Sequence, residues 1–209
     1  MTLVATATAF TAPMAWAAGK DPGSAGNARK GNLAHGEAAD PDTYISTTAG
    51  SGRFPLVASG RAAPLVVDAG DHPGVIRVVS DLQTDLKRVT GVRPAVSVGR
   101  IPRQDDVVLI GTIGKSPLID DLVTAGKLDV TAIAGKWETS LQQVVQNPLP
   151  GVRRAFVIAG SDQRGTIYGA YDVSKRIGVS PWSWWDDVPP RHQEALYVLP
   201  GGTARARRR

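Results

Sequence analysis

The chain has no cysteine, so neither a disulfide framework nor a thiolate metal site can exist, and cysteine usage says nothing of its redox compartment. It has only three histidines, His35, His72 and His192, too scattered to suggest a zinc site. It lacks a run of about 18 apolar residues, which argues against a membrane-spanning helix. It also lacks basic charge spread over a fold. The net charge is +5, but Arg205, Arg207, Arg208 and Arg209 supply four of those charges, and without them 20 basic residues face 19 acidic ones. A nucleic-acid binder gathers its basic residues on one face of the fold, so that class is excluded.

What is present is an ordinary globular composition. Of 209 residues, 42% are hydrophobic and 21% charged, enough to bury a core and right for one domain with ragged ends. Residues 1–17, MTLVATATAFTAPMAWA, are small and apolar and close on Ala15-Trp16-Ala17, the small-x-small pattern read by signal peptidase, although a basic n-region is missing. A secreted or periplasmic protein is expected. Residues 18–52 are rich in Gly, Ala, Asp, Pro, Ser and Thr without period and read as a disordered linker. The folded part is expected over 53–200, followed by a patternless basic tail over 201–209.

Within that part, LVVD at 65–68 reads as a buried strand broken by AGDHPG. A helix follows, with Ile76, Val79, Leu82, Gln83, Leu86 and Val89 on one face and Arg77, Asp81, Asp85, Lys87 and Arg88 largely elsewhere; Gly91 stops it. PAVSV (94–98) and DVVLIG (106–111) read as strands. Ser116-Pro117 starts a second helix, the hydroxyl serving as N-cap, which carries Leu118, Ile119, Leu122 and Val123 as far as Gly126. Lys136 to Val145 alternates loosely, with Trp137, Leu141 and Val145 opposite Glu138, Ser140 and Gln142, as in a half-exposed strand. RRAFVIAG (153–160) is the clearest buried strand. Ser161 or Asp162 caps the helix after it, which carries Ile167, Tyr168, Tyr171, Val173 and Ile177 and ends at Gly178. The pattern predicts an α/β (α+β) fold: a small mixed sheet of about five strands with helices packed on it.

Few motifs point to chemistry. Gly111-Thr-Ile-Gly-Lys-Ser116 resembles the end of a phosphate-binding loop, but the first Gly of that motif would fall on Leu109, which leaves a strand-to-helix turn. Neither Gly70–Gly74 nor Gly160–Gly165 makes a dinucleotide fingerprint, and no cofactor is expected. Asp162, Arg164 and Asp172 surround an amphipathic helix, where charges are usually solvated or locally paired. Gly165, next to Arg164 in the first turn, would allow close approach of a neighbouring backbone. SPWSWWDDVPP (180–190) stands apart: Trp182, Trp184 and Trp185 are three of the five tryptophans, set in a Pro-bounded stretch and followed by two carboxylates. Such indoles dock against another domain or stack on a sugar ring. Asp186 and Asp187 are adjacent and point opposite ways in extended chain, so they cannot flank a glycosidic bond as a catalytic pair.

The run VIAGSDQRGTIYGAYDVSKRIGVSPWSWWDDVPP, with GKWETSLQQVVQNPLPG and DLQTDLKRVTGVRP upstream, resembles the N-terminal domain of glycoside hydrolase family 115, the xylan α-1,2-glucuronidases. The resemblance covers roughly residues 54 to 200. It implies an accessory domain leading into a (β/α)8 barrel that removes 4-O-methyl-glucuronic acid from xylan. Such a barrel takes about 250 residues, whereas ten follow Leu199 in this chain. The expectation is a truncated or frameshifted α-glucuronidase with no catalytic or metal-binding residue of its own, whose partner is the barrel and, through it, xylan. The arginine-rich end fits out-of-frame translation. One residue carries over from the family: Asp187 matches the Asp of its WWxDVP segment, which the resemblance places toward the barrel's active-site mouth, with Trp184 and Trp185 as neighbours. The other expectation is a free-standing carbohydrate-binding module using Trp182, Trp184 and Trp185.

Overall fold

The computed structural model describes residues 43–179 and 189–206. The leader at 1–17 and most of the linker lie outside them. Among the described residues the elements follow in the order β1 (Ile45–Ser46), β2 (Phe54–Ala58), β3 (Arg61–Ala62), β4 (Leu65–Val67), α1 (Pro73–Thr90), β5 (Val96–Val98), β6 (Asp106–Thr112), α2 (Pro117–Thr124), β7 (Thr139–Gln146), β8 (Arg154–Gly160), α3 (Gln163–Arg176), β9 (Leu196–Val198) and β10 (Gly202–Ala206). They form an α+β domain with two sheets. The larger has the order β10-β7-β8-β6-β4-β5 and the smaller β1-β9-β2-β3. In the larger sheet β5, β4, β6 and β8 run parallel, while β7 and β10 are antiparallel additions.

The parallel strands are continuous apolar runs because both faces of the sheet are covered. In β6, Val108 and Ile110 point to one side and Val107 and Leu109 to the other; in β8, Phe156 and Ile158 oppose Ala155, Val157 and Ala159. The first side packs on Val79, Leu82 and Leu86 of α1, Val173 of α3 and Ile177 just past its end, and Phe54, Leu56, Leu196 and Val198 of the small sheet. The second packs on Ile119 and Leu122 of α2 and on Leu128 and Ile133 beyond it. Phe156 is fully buried between Tyr44 and Phe54, ring centroids 6.1 Å from each, and truncating such a residue costs about 3–5 kcal/mol.

Helix ends follow from local chemistry. Pro73 opens α1, where a missing N–H costs nothing, and Gly91 closes it in the left-handed conformation, its N–H donating to the Lys87 carbonyl at 2.8 Å. Asp162 caps α3, its Oδ1 accepting from the Gly165 N–H at 2.7 Å. Ser116 precedes α2 but does not cap it. Its hydroxyl is fully buried, makes no hydrogen bond and packs under Gly111.

Several elements differ from the sequence reading. The linker expectation to residue 52 fails at Ile45–Ser46, which pairs with Tyr197–Val198. The tail expectation from 201 fails at Gly202–Ala206, which runs antiparallel along β7 from Gly202 opposite Gln143 to Ala206 opposite Thr139. Residues 207–209 lie outside the described residues. The whole small sheet was missed, because its strands are two to five residues long. β2 and β3 turn through Ser59 and Gly60, both at positive φ, in a two-residue hairpin, and Pro55 accompanies a register shift within β2. β7 is not half-exposed: Ser140 and Gln142, expected to face solvent, lie under α3, and Trp137 precedes the strand. Among the described residues no helix is long and apolar enough to cross a membrane.

Candidate functional site

In an open α/β sheet, ligands settle beyond the carboxyl ends of the parallel strands. Here that end is built by Asp71 after β4, Thr112 at the end of β6, Ser161 and Asp162 after β8, and the turn that leads into β7. Asp71 is 4% exposed. Its Oδ2 accepts from the Thr112 N–H at 2.8 Å and its Oδ1 from the His72 N–H at 2.7 Å, so this carboxylate ties the start of α1 to the end of β6. The hydroxyls of Thr112 and Thr166 meet at 2.8 Å beneath it. Each oxygen of this carboxylate is held by a backbone donor, so it fastens two elements together.

The neighbouring turn is fastened as closely. Asp162 uses Oδ2 for the Glu138 N–H at 2.9 Å while Oδ1 caps α3. The Ser161 hydroxyl accepts from the N–H and hydroxyl of Thr139. Glu138, at φ 52, pairs with Arg164 at 2.9 Å, which holds the Arg164 guanidinium still more firmly protonated. The indole of Trp137 is left 84% exposed. Asp162 and Arg164 thus serve a cap and an ion pair, the local pairing expected of charges around an amphipathic helix.

Asp172 sits on the opposite stretch of α3. Its Oδ2 accepts from the Tyr44 hydroxyl at 2.9 Å and lies 3.5 Å from Arg205 Nε, while Oδ1 lies 3.7 Å from Arg176 Nε. Burial, and then the nearby Asp172 charge and hydrogen bond, push the Tyr44 phenol well above its ordinary value. Arg205 also lies 5.9 Å from the Tyr44 ring centroid. This cluster joins the start of the described fold to α3 and β10 across more than a hundred residues, and no local sequence signal announced it.

The phosphate-loop reading of Gly111–Ser116 finds no support in the geometry. The Gly114 N–H donates to Asp120 Oδ1 at 2.8 Å, so a carboxylate occupies a donor that a phosphate would need, and the Ser116 hydroxyl is buried. Among the described residues no group of three or more His, Cys, Asp or Glu gathers as metal ligands.

Trp182, Trp184, Trp185 and Asp187 lie outside the described residues. Their flanks are placed. Val179 is buried in the core beside α1 and α3, and the Gln193 N–H donates to the Val89 carbonyl at 2.9 Å.

No family model and no curated protein matches the chain. Solved structures do. BtGH115A, a family 115 4-O-methyl-α-glucuronidase with specificity for decorated arabinogalactans, is 26% identical, with a TM-score of 0.57 over 73% of this chain and 18% of its own. This chain resembles one part of a glucuronidase. CpGH84D also aligns, over 75% of this chain and 22% of its own, at 9% identity and a TM-score of 0.42, too low to carry an argument. The fold is therefore like that found in a family 115 enzyme, and the chain spans less than a fifth of that enzyme's length.

Proposed function

We infer that this chain is the accessory domain of an α-glucuronidase of the family 115 type, secreted, and without hydrolysis of its own. The observation that carries the reading is the alignment with a limited part of BtGH115A at a TM-score of 0.57. The roles of the carboxylates support it: Asp71, Asp162, Glu138 and Asp172 are each committed to a backbone donor or a cation. The partner of the domain is a (β/α)8 barrel that carries the chemistry, and SPWSWWDDVPP, with Trp184, Trp185 and Asp187, is the segment that meets it. The polysaccharides in question are glucuronoxylan and, by analogy with BtGH115A, decorated arabinogalactans.

The coding DNA tests this reading. The gene that holds this sequence is expected to encode a (β/α)8 barrel as well. Absence of any barrel-coding sequence favours the second reading, a free carbohydrate-binding module that uses Trp182, Trp184 and Trp185. That module loses its retention on insoluble xylan in Trp184→Ala and Trp185→Ala, whereas the accessory domain does not depend on those two indoles for xylan.

A further inference from the structure

We propose that Trp137 is a stacking platform for a pyranose ring of a polysaccharide. Among the described residues the other large hydrophobic side chains classed as exposed, Val98 and Tyr171, are each 47% exposed; Trp137, at 84%, is nearly bare. Single exposed apolar side chains need no explanation in general, but this one is held in place. The Lys136 N–H donates to the Ile133 carbonyl at 3.1 Å, and the Glu138 and Thr139 N–H groups donate to Asp162 Oδ2 and Ser161 Oγ. Buried Ile133 anchors one side of the turn, and the Glu138–Arg164 pair braces the other. Glu138 adopts a left-handed backbone at φ 52. Strain of that kind persists where surrounding structure enforces it, and it clusters at functional sites.

The surroundings of the indole decide between kinds of partner. A protein-docking tryptophan sits at the centre of an apolar patch ringed by contacts that exclude water. Beside Trp137 in the turn stand exposed Ala134, Gly135 and Lys136 and the charged pair Glu138–Arg164, and among the described residues the other exposed large apolar side chains are Val98 on β5 and Tyr171 on α3, so no apolar patch of described residues completes such a seal. A bare aromatic face rimmed by hydrogen-bonding groups matches a sugar, whose axial C–H groups lie on the ring and whose hydroxyls meet the rim. Arg164 uses Nη1 for Glu138, and its side chain is 68% exposed, so its fork reaches solvent beside the stacked ring. The choice of polysaccharide rests on the glucuronidase reading above; the stacking does not.

The test is affinity electrophoresis of the full chain in gels containing glucuronoxylan or an arabinogalactan. The expected result is retardation of the wild type in at least one gel, about tenfold weaker binding in Trp137→Ala, and retention of most of it in Trp137→Tyr. The thermal midpoint of Trp137→Ala should equal that of the wild type, and a lowered midpoint would contradict the exposed placement. A wild type that runs unretarded in both gels overturns the proposal, as does a Trp137→Ala variant retarded like the wild type. Loss of retardation in Trp184→Ala or Trp185→Ala with Trp137→Ala unaffected also overturns it, in favour of the free-module reading. A missing barrel in the coding DNA leaves the gel result unchanged, so the two failures are distinguishable.

Discussion

Gly165 of α3 lies directly against Thr139 of β7: a Cβ at Gly165 would stand 2.2 Å from the Thr139 carbonyl oxygen and 3.1 Å from its nitrogen. One turn on, a Cβ at Gly169 would stand 2.9 Å from Ser140 Cβ. The two glycines form a flat strip on which the strand rests, and Ser140 and Gln142 are buried because the helix comes that close. Gly165→Ala is expected to destabilise the domain by about 3 kcal/mol, since the obstruction is backbone and cannot rotate away. Gly169→Ala should cost less, its obstruction being side chains. Urea midpoints of the two variants check the order.

Arg154 and Asp106 form a two-pronged ion pair, Nε to Oδ1 at 2.7 Å and Nη2 to Oδ2 at 2.8 Å, while Nη1 donates to the Arg53 carbonyl at 3.0 Å. The guanidinium thereby joins β8, β6 and the entry to the small sheet. Arg154→Ala is expected to cost about 2–3 kcal/mol, somewhat below a fully buried pair because both side chains keep some exposure. Arg154→Lys should recover only part of this, since an ammonium cannot fill the fork. Chemical denaturation of both variants measures it.

The Tyr44 phenol predicts loss of stability in alkali. Burial and Asp172 raise its pKa in the folded state, so its contribution is complete below the unfolded value of about 10 and falls as pH rises from there through the folded value. Tyr171 is raised in the same direction, by burial and by Asp81, but is far more exposed. Tyr44→Phe should therefore remove most of the tyrosine-dependent decline above pH ~10, read as the thermal midpoint against pH.

Asp85 behaves in the opposite sense to a well-paired carboxylate. Burial raises its pKa, with Ser174 and Arg88 opposing the shift and Asp81 adding to it. The folded state therefore holds that proton more tightly than the unfolded chain. Its contribution is complete below the unfolded value and lost as pH rises through the folded one. Asp85→Asn is expected to raise the thermal midpoint at neutral pH, with the gain vanishing near pH 3, where the wild-type carboxyl is protonated in both states. An unchanged or lowered midpoint at neutral pH contradicts this account.

The parallel core was legible because its strands are apolar on both faces: the strand expected over 106–111 runs to 112, and the one expected over 153–160 runs from 154. Helix ends were legible where the local chemistry decides them: Gly91 closes α1, and of Ser161 and Asp162 it is Asp162 that caps α3. The rest depends on partners distant in sequence. Ile45–Ser46 and Gly202–Ala206 have no pattern of their own and are strands only because β9 and β7 offer them edges. On α3 the expected Val173 reaches the core, as does Ile177 just past its end, but Tyr168 and Tyr171 do not, and Gly165, Thr166, Gly169 and Ala170 are buried instead. Small residues add little to an apolar pattern, though their spacing by four held the signal. Trp137 read as a strand residue because nothing local shows that Glu138 turns left-handed before β7 begins. The Tyr44–Asp172–Arg205 cluster had no sequence signal at all.

The most direct measurement is release of glucuronic acid or its 4-O-methyl ether from glucuronoxylan by the purified 209-residue chain, alongside a complete family 115 enzyme as positive control. The accessory-domain reading, in which Asp71, Asp162, Glu138 and Asp172 are committed to backbone donors or cations, predicts release no greater than that of a mock preparation. Release above that background, scaling with the amount of chain added, would contradict it and make this protein a hydrolase in its own right.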